Sequence, residues 1–254
     1  GVICTPHLGA STREAQENVA LQVAEQMSDY LLDGAVTNAI NTPSISAEEA
    51  PHLTPFCKLA EQLGLFAGQL TETGIQGVRV EYDGYVGDLN TKPLTAAALS
   101  GLLKPLLHDV NMVSAPILAK ERGIKVEEVK RPQEGAYGTY IRLVVITDRQ
   151  ERSVAGTVFS DGSPRLIQVK GINMEAALGP HMLYITNDDK PGFIGALGTL
   201  LGGAKVNIAT FNLGREARGG DAISLIEFAD ALDEATIKEV ADLPHVKQVK
   251  QMAF

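Results

Sequence analysis

Residues 182–192 read Met182-Leu183-Tyr184-Ile185-Thr186-Asn187-Asp188-Asp189-Lys190-Pro191-Gly192. A short apolar, β-prone run breaks into a polar turn punctuated by proline and glycine, and the apolar residues then recur at helical spacing from Gly192 to Leu201. Strand signals follow at Val206 to Asn212 and Ala222 to Phe228, a helix at Asp233 to Ala241, and a last strand at Val246 to Met252. That order predicts βαββαβ, the split βαβ arrangement of ferredoxin-like domains. Gly195, Gly198, Gly202 and Gly203 fall inside the first helix and are read as helix packing and a C-terminal stop, because no strand-turn-helix context makes them a phosphate loop.

Upstream, helical signals come first and strand signals later. Thr54-Pro55 reads as a helix start, and Phe56, Leu59, Ala60, Leu63, Phe66, Ala67 and Leu70 form one apolar stripe that stops at Gly74. Val78, Val80 and Tyr82 alternate with charged residues as in a half-buried strand. Residues 95–109 and 114–122 are expected as helices, the second capped by Ser114, and residues 125–130, 139–147, 153–160 and 164–170 as strands. This block is α+β. At the front, Ser11 and Glu14 form a capping box for a helix that runs to Gly34, residues 35–41 read as a strand, and Thr42-Pro43-Ser44 marks a boundary. The expected division is therefore 1–41, 42–180 and 181–254, an α+β chain throughout.

The charge balance, 22 Lys and Arg against 31 Asp and Glu, leaves −9 without a dense basic run. Nucleic-acid and anionic-membrane partners are thereby disfavoured, since both are held by clustered positive charge. Two distant cysteines, Cys4 and Cys57, supply neither a disulfide framework nor a zinc or iron–sulfur ligand set, and His52, His108, His181 and His245 share no ligand spacing, so no metal is expected. No apolar run is long enough to span a bilayer, and the opening Gly1-Val2-Ile3 is not a signal sequence, which makes the cytoplasm the default location. The absence of an initial Met and the abrupt start of polar chemistry suggest a piece of a longer polypeptide.

Two places carry chemistry. His7 sits in Thr5-Pro6-His7-Leu8-Gly9-Ala10-Ser11-Thr12, where a proline stiffens the backbone and a glycine permits close approach, so its imidazole could accept a hydroxyl proton. Asn187 to Gly192 join a strand to a helix N-terminus, where free N–H groups favour an anion and a neighbouring carboxylate an ammonium, a pairing suited to a free amino acid. Asn207 could add an amide to the same edge. The plainer alternative is that Asp188 or Asp189 caps the helix and Asn207 makes a turn.

The string Cys4-Thr5-Pro6-His7-Leu8-Gly9-Ala10-Ser11-Thr12, with Glu14-Ala15-Gln16 and the long helix, resembles the catalytic-histidine segment of NAD-dependent D-2-hydroxyacid dehydrogenases, most closely the phosphoglycerate dehydrogenase family. The resemblance implies that His7 is the general acid/base for the C2 hydroxyl of 3-phosphoglycerate, that Gly9 and Ala10 lie beside the nicotinamide, and that residues 1–41 are the end of Rossmann-type and substrate domains. The family's dinucleotide loop, carboxylate-gripping arginine and histidine-pairing glutamate have no counterparts here, so this chain alone is expected to be inactive and to bind NAD poorly. Residues 187–192, Leu197-Gly198-Thr199-Leu200-Leu201 and Val206-Asn207-Ile208-Ala209 resemble an ACT regulatory domain of the same family. This implies L-serine as effector on Asn187, Asp189 and Asn207, feedback on serine biosynthesis, and a homo-oligomer, a tetramer by family habit. Many relatives carry histidine or tyrosine where this chain has Asn187.

Residues 42–180, best at Ala115-Pro116-Ile117-Leu118-Ala119-Lys120-Glu121-Arg122-Gly123 and Gly156-Thr157-Val158-Phe159, resemble the intervening allosteric substrate-binding domain. Arg165 matches one basic anion-holding position of some relatives, while Ala177 and Glu227 stand at others. Two other readings are a stand-alone amino-acid sensor, which leaves the His7 motif without a use, and an iron–sulfur L-serine dehydratase, which two cysteines cannot supply.

Overall fold

The structure, a computed structural model, describes residues 2–4, 6, 8–132 and 137–254. It divides into two compact units, one ending at Thr54 and one running from Pro55 to Phe254. Among the described residues no helix is long and apolar enough to cross a membrane.

In the first unit, α1 (Arg13–Asp33) is capped by Thr12, whose hydroxyl oxygen accepts the Ala15 N–H at 3.1 Å. Ser11 instead donates its hydroxyl back to the Leu8 carbonyl at 2.8 Å, so the cap lies one residue later than the Ser11–Glu14 box predicts. Gly34, at φ +72°, ends the helix where a left-handed residue is required. The strand expected over 35–41 is reduced to a single bridge between Val36 and Ile45, because the short, proline-broken segment meets no longer partner. A true capping box follows. The Ser46 N–H and hydroxyl donate to the Glu49 carboxylate at 3.1 and 2.9 Å, and the Glu49 N–H donates to the Ser46 hydroxyl at 3.2 Å. It starts α2 (Ala50–Gln69) before the expected Thr54-Pro55 signal and leaves Pro55 inside the helix.

In the second unit β1 (Ile75–Gly84), α3 (Thr91–Leu103), α4 (Ala115–Glu121), β2 (Lys125–Arg131), β3 (Thr139–Thr147), β4 (Glu151–Val158), β5 (Pro164–Val169) and β6 (Ile172–Ala176) follow in order. They build a six-stranded sheet, β2-β1-β3-β4-β5-β6, in which β1 and β2 are parallel across the α3–α4 crossover and the other pairs are antiparallel. Val78, Val80 and Tyr82 pair with Val145, Leu143 and Ile141 on one buried face. Helix α3 is buried on nearly every side and starts and ends earlier than the expected 95–109, since Asn90 caps it and Pro105 has no N–H to extend the ladder. Ser114 does not cap α4 with its side chain; Asn111 turns the chain there instead, accepting the N–H groups of Val113 and Ser114. Strand β6 was not legible at the sequence level. It is reached through a two-residue turn, Lys170 and Gly171 at φ +49° and +82°, the backbone of a tight hairpin.

The remaining elements are β7 (Met182–Asp188), α5 (Phe193–Gly203), β8 (Ile208–Arg215), β9 (Asp221–Phe228), α6 (Glu234–Ala241) and β10 (Val246–Met252). Their sheet runs β10-β7-β9-β8 with every neighbour antiparallel, which gives the expected strand–helix–strand–strand–helix–strand order. Leu183, Ile185, Ile226 and Phe228 pack with Phe193, Leu197 and Leu201 of α5 and Val240 of α6. On the opposite face Tyr184 meets Phe66 of α2 edge-on, ring centroids 5.8 Å apart, and Phe66 stacks on Phe254 at 6.1 Å. The packing role expected for the α5 glycines is not found. A Cβ built on Gly195, Gly198, Gly202 or Gly203 meets nothing within 4 Å, because they lie on the helix face turned away from its sheet.

Candidate functional site

The junction of β7 and α5 concentrates polar groups. Asn187, 2% exposed, shares a strand face with Leu183 and Ile185, the residues that pack beneath α5. Its amide NH2 donates to the Asp188 carbonyl at 2.8 Å, while its buried Oδ1 has no hydrogen-bond partner among the described residues. A buried amide oxygen left without a donor is costly, and it is an acceptor waiting for one.

Neither neighbouring carboxylate caps the helix. Asp188 sits 2.6 Å from Lys247, which also donates to Asp221 at 2.6 Å. Hydrogen bonding from Lys247 holds the Asp188 carboxyl below its usual range. Asp189 accepts the Gly219 N–H at 3.1 Å and Arg215 Nη1 at 3.1 Å, and the backbone bond first and the guanidinium second hold its carboxyl low as well. Helix α5 starts at Gly192, φ +100°, without a side-chain cap among the described residues. Its first-turn N–H groups therefore face the junction without a capping oxygen, beside a carboxylate pair already ionised. The plain capping role considered for Asp188 and Asp189 is thus replaced by ion pairs with Lys247 and Arg215, residues distant in sequence that periodicity alone does not mark.

Asn207 lies elsewhere. It is exposed just before β8, and its carbonyl accepts the Ala229 N–H at 3.4 Å. In β9 the partner of Asn187 is Ala222, seven positions from Ala229, so the two asparagines stand roughly 20 Å apart at opposite ends of the sheet. The same-edge placement expected from sequence fails within one chain because α5 carries the backbone to the far end before β8 begins.

His7 lies outside the described residues. Gly9 and Ala10 form an exposed turn before α1, and a Cβ on Gly9 would meet nothing within 4 Å. Arg165, in β5, donates to the Pro164 carbonyl at 2.9 Å and stacks over the Phe159 ring at 5.3 Å. Glu227 lies against Gly179, and its Oε2 is 3.5 Å from the Thr210 hydroxyl.

Residues 52–170 match the family described as the D-3-phosphoglycerate dehydrogenase intervening domain. The chain is 37% identical over 250 residues to D-3-phosphoglycerate dehydrogenase of Bacillus subtilis, an alignment covering 98% of this chain and 48% of that protein. It is 39% identical over 248 residues to that of Synechocystis, covering 97% and 45%. To that of Methanocaldococcus jannaschii it is 34% identical over 249 residues, covering 98% and 47%. The chain thus spans about half the length of the curated relatives it matches. Residues 52–170 thus belong to the D-3-phosphoglycerate dehydrogenase intervening-domain family, and the similarity to these dehydrogenases is sustained from one end of the sequence to the other.

Proposed function

We propose that this chain is the regulatory C-terminal part of an NAD-dependent D-3-phosphoglycerate dehydrogenase, which converts 3-phosphoglycerate to 3-phosphohydroxypyruvate as the first step of L-serine biosynthesis. The supporting observation is a match that covers nearly the whole chain and half of each relative. In this reading residues 1–41 end the catalytic domains, 42–180 are the intervening domain and 181–254 a ferredoxin-like ACT domain. His7 accepts the C2 hydroxyl proton. The described residues of the first unit do not fit NAD: one capped helix and one bridge supply no strand–glycine-turn–helix cradle for a pyrophosphate, so no step of the reaction is assigned to them.

The junction around Asn187 is the L-serine site of the proposal. The unpartnered Asn187 oxygen suits the ligand's ammonium, and the uncapped first turn of α5 suits its carboxylate. Because Asn207 stands at the far end of the same sheet, the set Asn187, Asp189 and Asn207 closes only when a second copy brings its own Asn207 alongside, which favours a homo-oligomer.

Two experiments test the two halves. In the intact gene product, His7→Ala is expected to lower turnover about 10² to 10⁴-fold, and a loss of only a few-fold would remove the proton-accepting role. Calorimetry of the 254-residue chain is expected to show heat with L-serine, weakened about tenfold or more by Asn187→Leu and by Asp189→Ala. No heat and no thermal shift at millimolar serine would refute the effector assignment.

A further inference from the structure

The face of the four-stranded sheet that packs beneath α5 is built by Leu183 and Ile185 of β7 and Ile226 and Phe228 of β9. Two buried polar side chains interrupt it, Asn187 and Ser224. Strand β9 is internal, paired with β7 on one side and β8 on the other, so its main-chain groups are committed to those two ladders. Ser224 stands opposite Ile185 on β7 and Leu213 on β8, and Ile226 follows it on the same face. None of these three neighbours carries a side-chain donor or acceptor.

Ser224 is 0% exposed, and its Oγ makes no hydrogen bond among the described residues. Oδ1 of Asn187 is unpartnered in the same sense. Asn187 pairs with Ala222, two residues before Ser224, so the two side chains are diagonal neighbours on one face. Diagonal neighbours lie roughly 7 Å apart. A buried hydroxyl without a partner is costly where alanine would avoid the cost. Two such costs at adjoining positions of an otherwise apolar layer point to one shared partner for both atoms.

We infer that Ser224 is the specificity-determining residue of the effector site, hydrogen-bonding the side-chain hydroxyl of the amino acid whose ammonium binds Asn187 Oδ1. The inference rests on the effector reading of the β7–α5 junction and adds to it the means by which one amino acid is chosen over another. A hydroxyl both donates and accepts, so a ligand hydroxyl satisfies Ser224 whichever way its own proton is turned. The ammonium and hydroxyl of L-serine sit on adjacent carbons and bridge the two side chains with a hydrogen bond at each end. L-Alanine places a methyl group there and leaves Ser224 unpaired, and glycine places nothing. A long side chain meets Ile185 and Leu213 instead. The ligand enters beneath the first turn of α5, which follows Gly192 at φ +100° and has no side-chain cap among the described residues.

The test is calorimetry of the 254-residue chain with L-serine, L-alanine and glycine, repeated on Ser224→Ala. The unsubstituted chain is expected to bind L-serine about tenfold or more tighter than L-alanine. Ser224→Ala should erase most of that preference, weakening L-serine about tenfold and leaving L-alanine within about twofold. Without ligand the variant should also melt above the unsubstituted chain, because an unpaired buried hydroxyl has been removed. A lower melting temperature, or a variant that does not fold, means that the hydroxyl is already bonded within the chain and overturns the inference. A preference for L-serine retained in Ser224→Ala overturns it while leaving the junction as the effector site. Equal weakening of L-serine and L-alanine does the same, since it marks support of Asn187 and not contact with the ligand side chain. Heat with none of the three amino acids in either chain overturns the effector reading and this inference together.

Discussion

At the scale of single residues, environment separates groups that sequence treats alike. Cys4 is exposed, whereas burial first and the neighbouring Glu61 charge second push the Cys57 thiol up to about 11. A thiol shifted two units above its ordinary value carries about a hundredfold less thiolate near neutrality, and the thiolate is what reacts. Iodoacetamide at about pH 8 is therefore expected to modify Cys4 long before Cys57, and peptide mapping that finds equal rates would contradict the burial of Cys57. The acidic loop behaves in the opposite sense. Because Asp188 and Asp189 are held below the ordinary carboxylate range, their contribution to stability is present above that range and is lost as pH falls through the lowered folded values. Acid titration of unfolding is expected to show a fall beginning near pH 4 that Asp188→Asn and Asp189→Asn make shallower. None of this is legible in Asp188-Asp189-Lys190, because Lys247, Arg215 and Gly219 reach the loop only after β8, β9 and β10 have paired.

At the scale of elements, the glycines divide by what a Cβ would touch. On Gly64 it would strike the Ala98 carbonyl and the Leu102 nitrogen, and on Gly101 the Glu61 carbonyl and the Leu65 nitrogen, so α2 and α3 cross with their backbones in contact. Backbone cannot yield as a flexible side chain can, and Gly101→Ala is expected to cost about 3 kcal/mol in urea unfolding. On α5 the same change is free of contact, and Gly198→Ala should add about 0.5–1 kcal/mol by helix propensity alone. A Gly198→Ala chain that loses stability would show that this face is packed in solution. The sequence pattern does not mark Gly64 or Gly101. It marks the α2 stripe of Leu59, Leu63 and Phe66 correctly but assigns packing to the glycines of α5, since periodicity reports which face is apolar and not how close a neighbouring backbone comes. The strand-rich run from 125 to 170 is readable because β-prone residues there are separated by turn clusters such as Ser160-Asp161-Gly162-Ser163-Pro164. Strand β6 was not readable, because a Lys-Gly turn lacks the Asn-Gly signature of the tight hairpin it forms.

At the scale of the second unit, the two sheets meet through α2 and the C-terminal residues and, directly, through β6 against β8, where Gly214 faces the Asn173 carbonyl. Gln69 exchanges two hydrogen bonds with the backbone of Ala253, at 3.0 and 3.1 Å, and Phe66 lies between Phe254 and Tyr184. Tyr184 belongs to β7, the strand whose last turn carries Asn187 on its other face. The strand that would sense L-serine is thus the strand that touches α2, and a shift of β7 on binding would reach the larger sheet through this aromatic contact as well as through Lys170, whose ammonium lies 5.5 Å from the Tyr184 ring centroid. Removing the half-buried Phe254 ring should cost about 2 kcal/mol, less than a fully enclosed phenylalanine, and should fall unevenly on the two sheets. In native-state hydrogen exchange of the unsubstituted chain, the slowest amides of β3 and β7 are expected to open with one global free energy. In Phe254→Ala, those of β7 should exchange faster than those of β3, because the four-stranded sheet loses part of its support while the six-stranded sheet keeps α2 and α3. Equal acceleration in both strands would mean that the sheets unfold as one body whatever this contact contributes, and the route from the β7 loop to α2 would lose its physical basis.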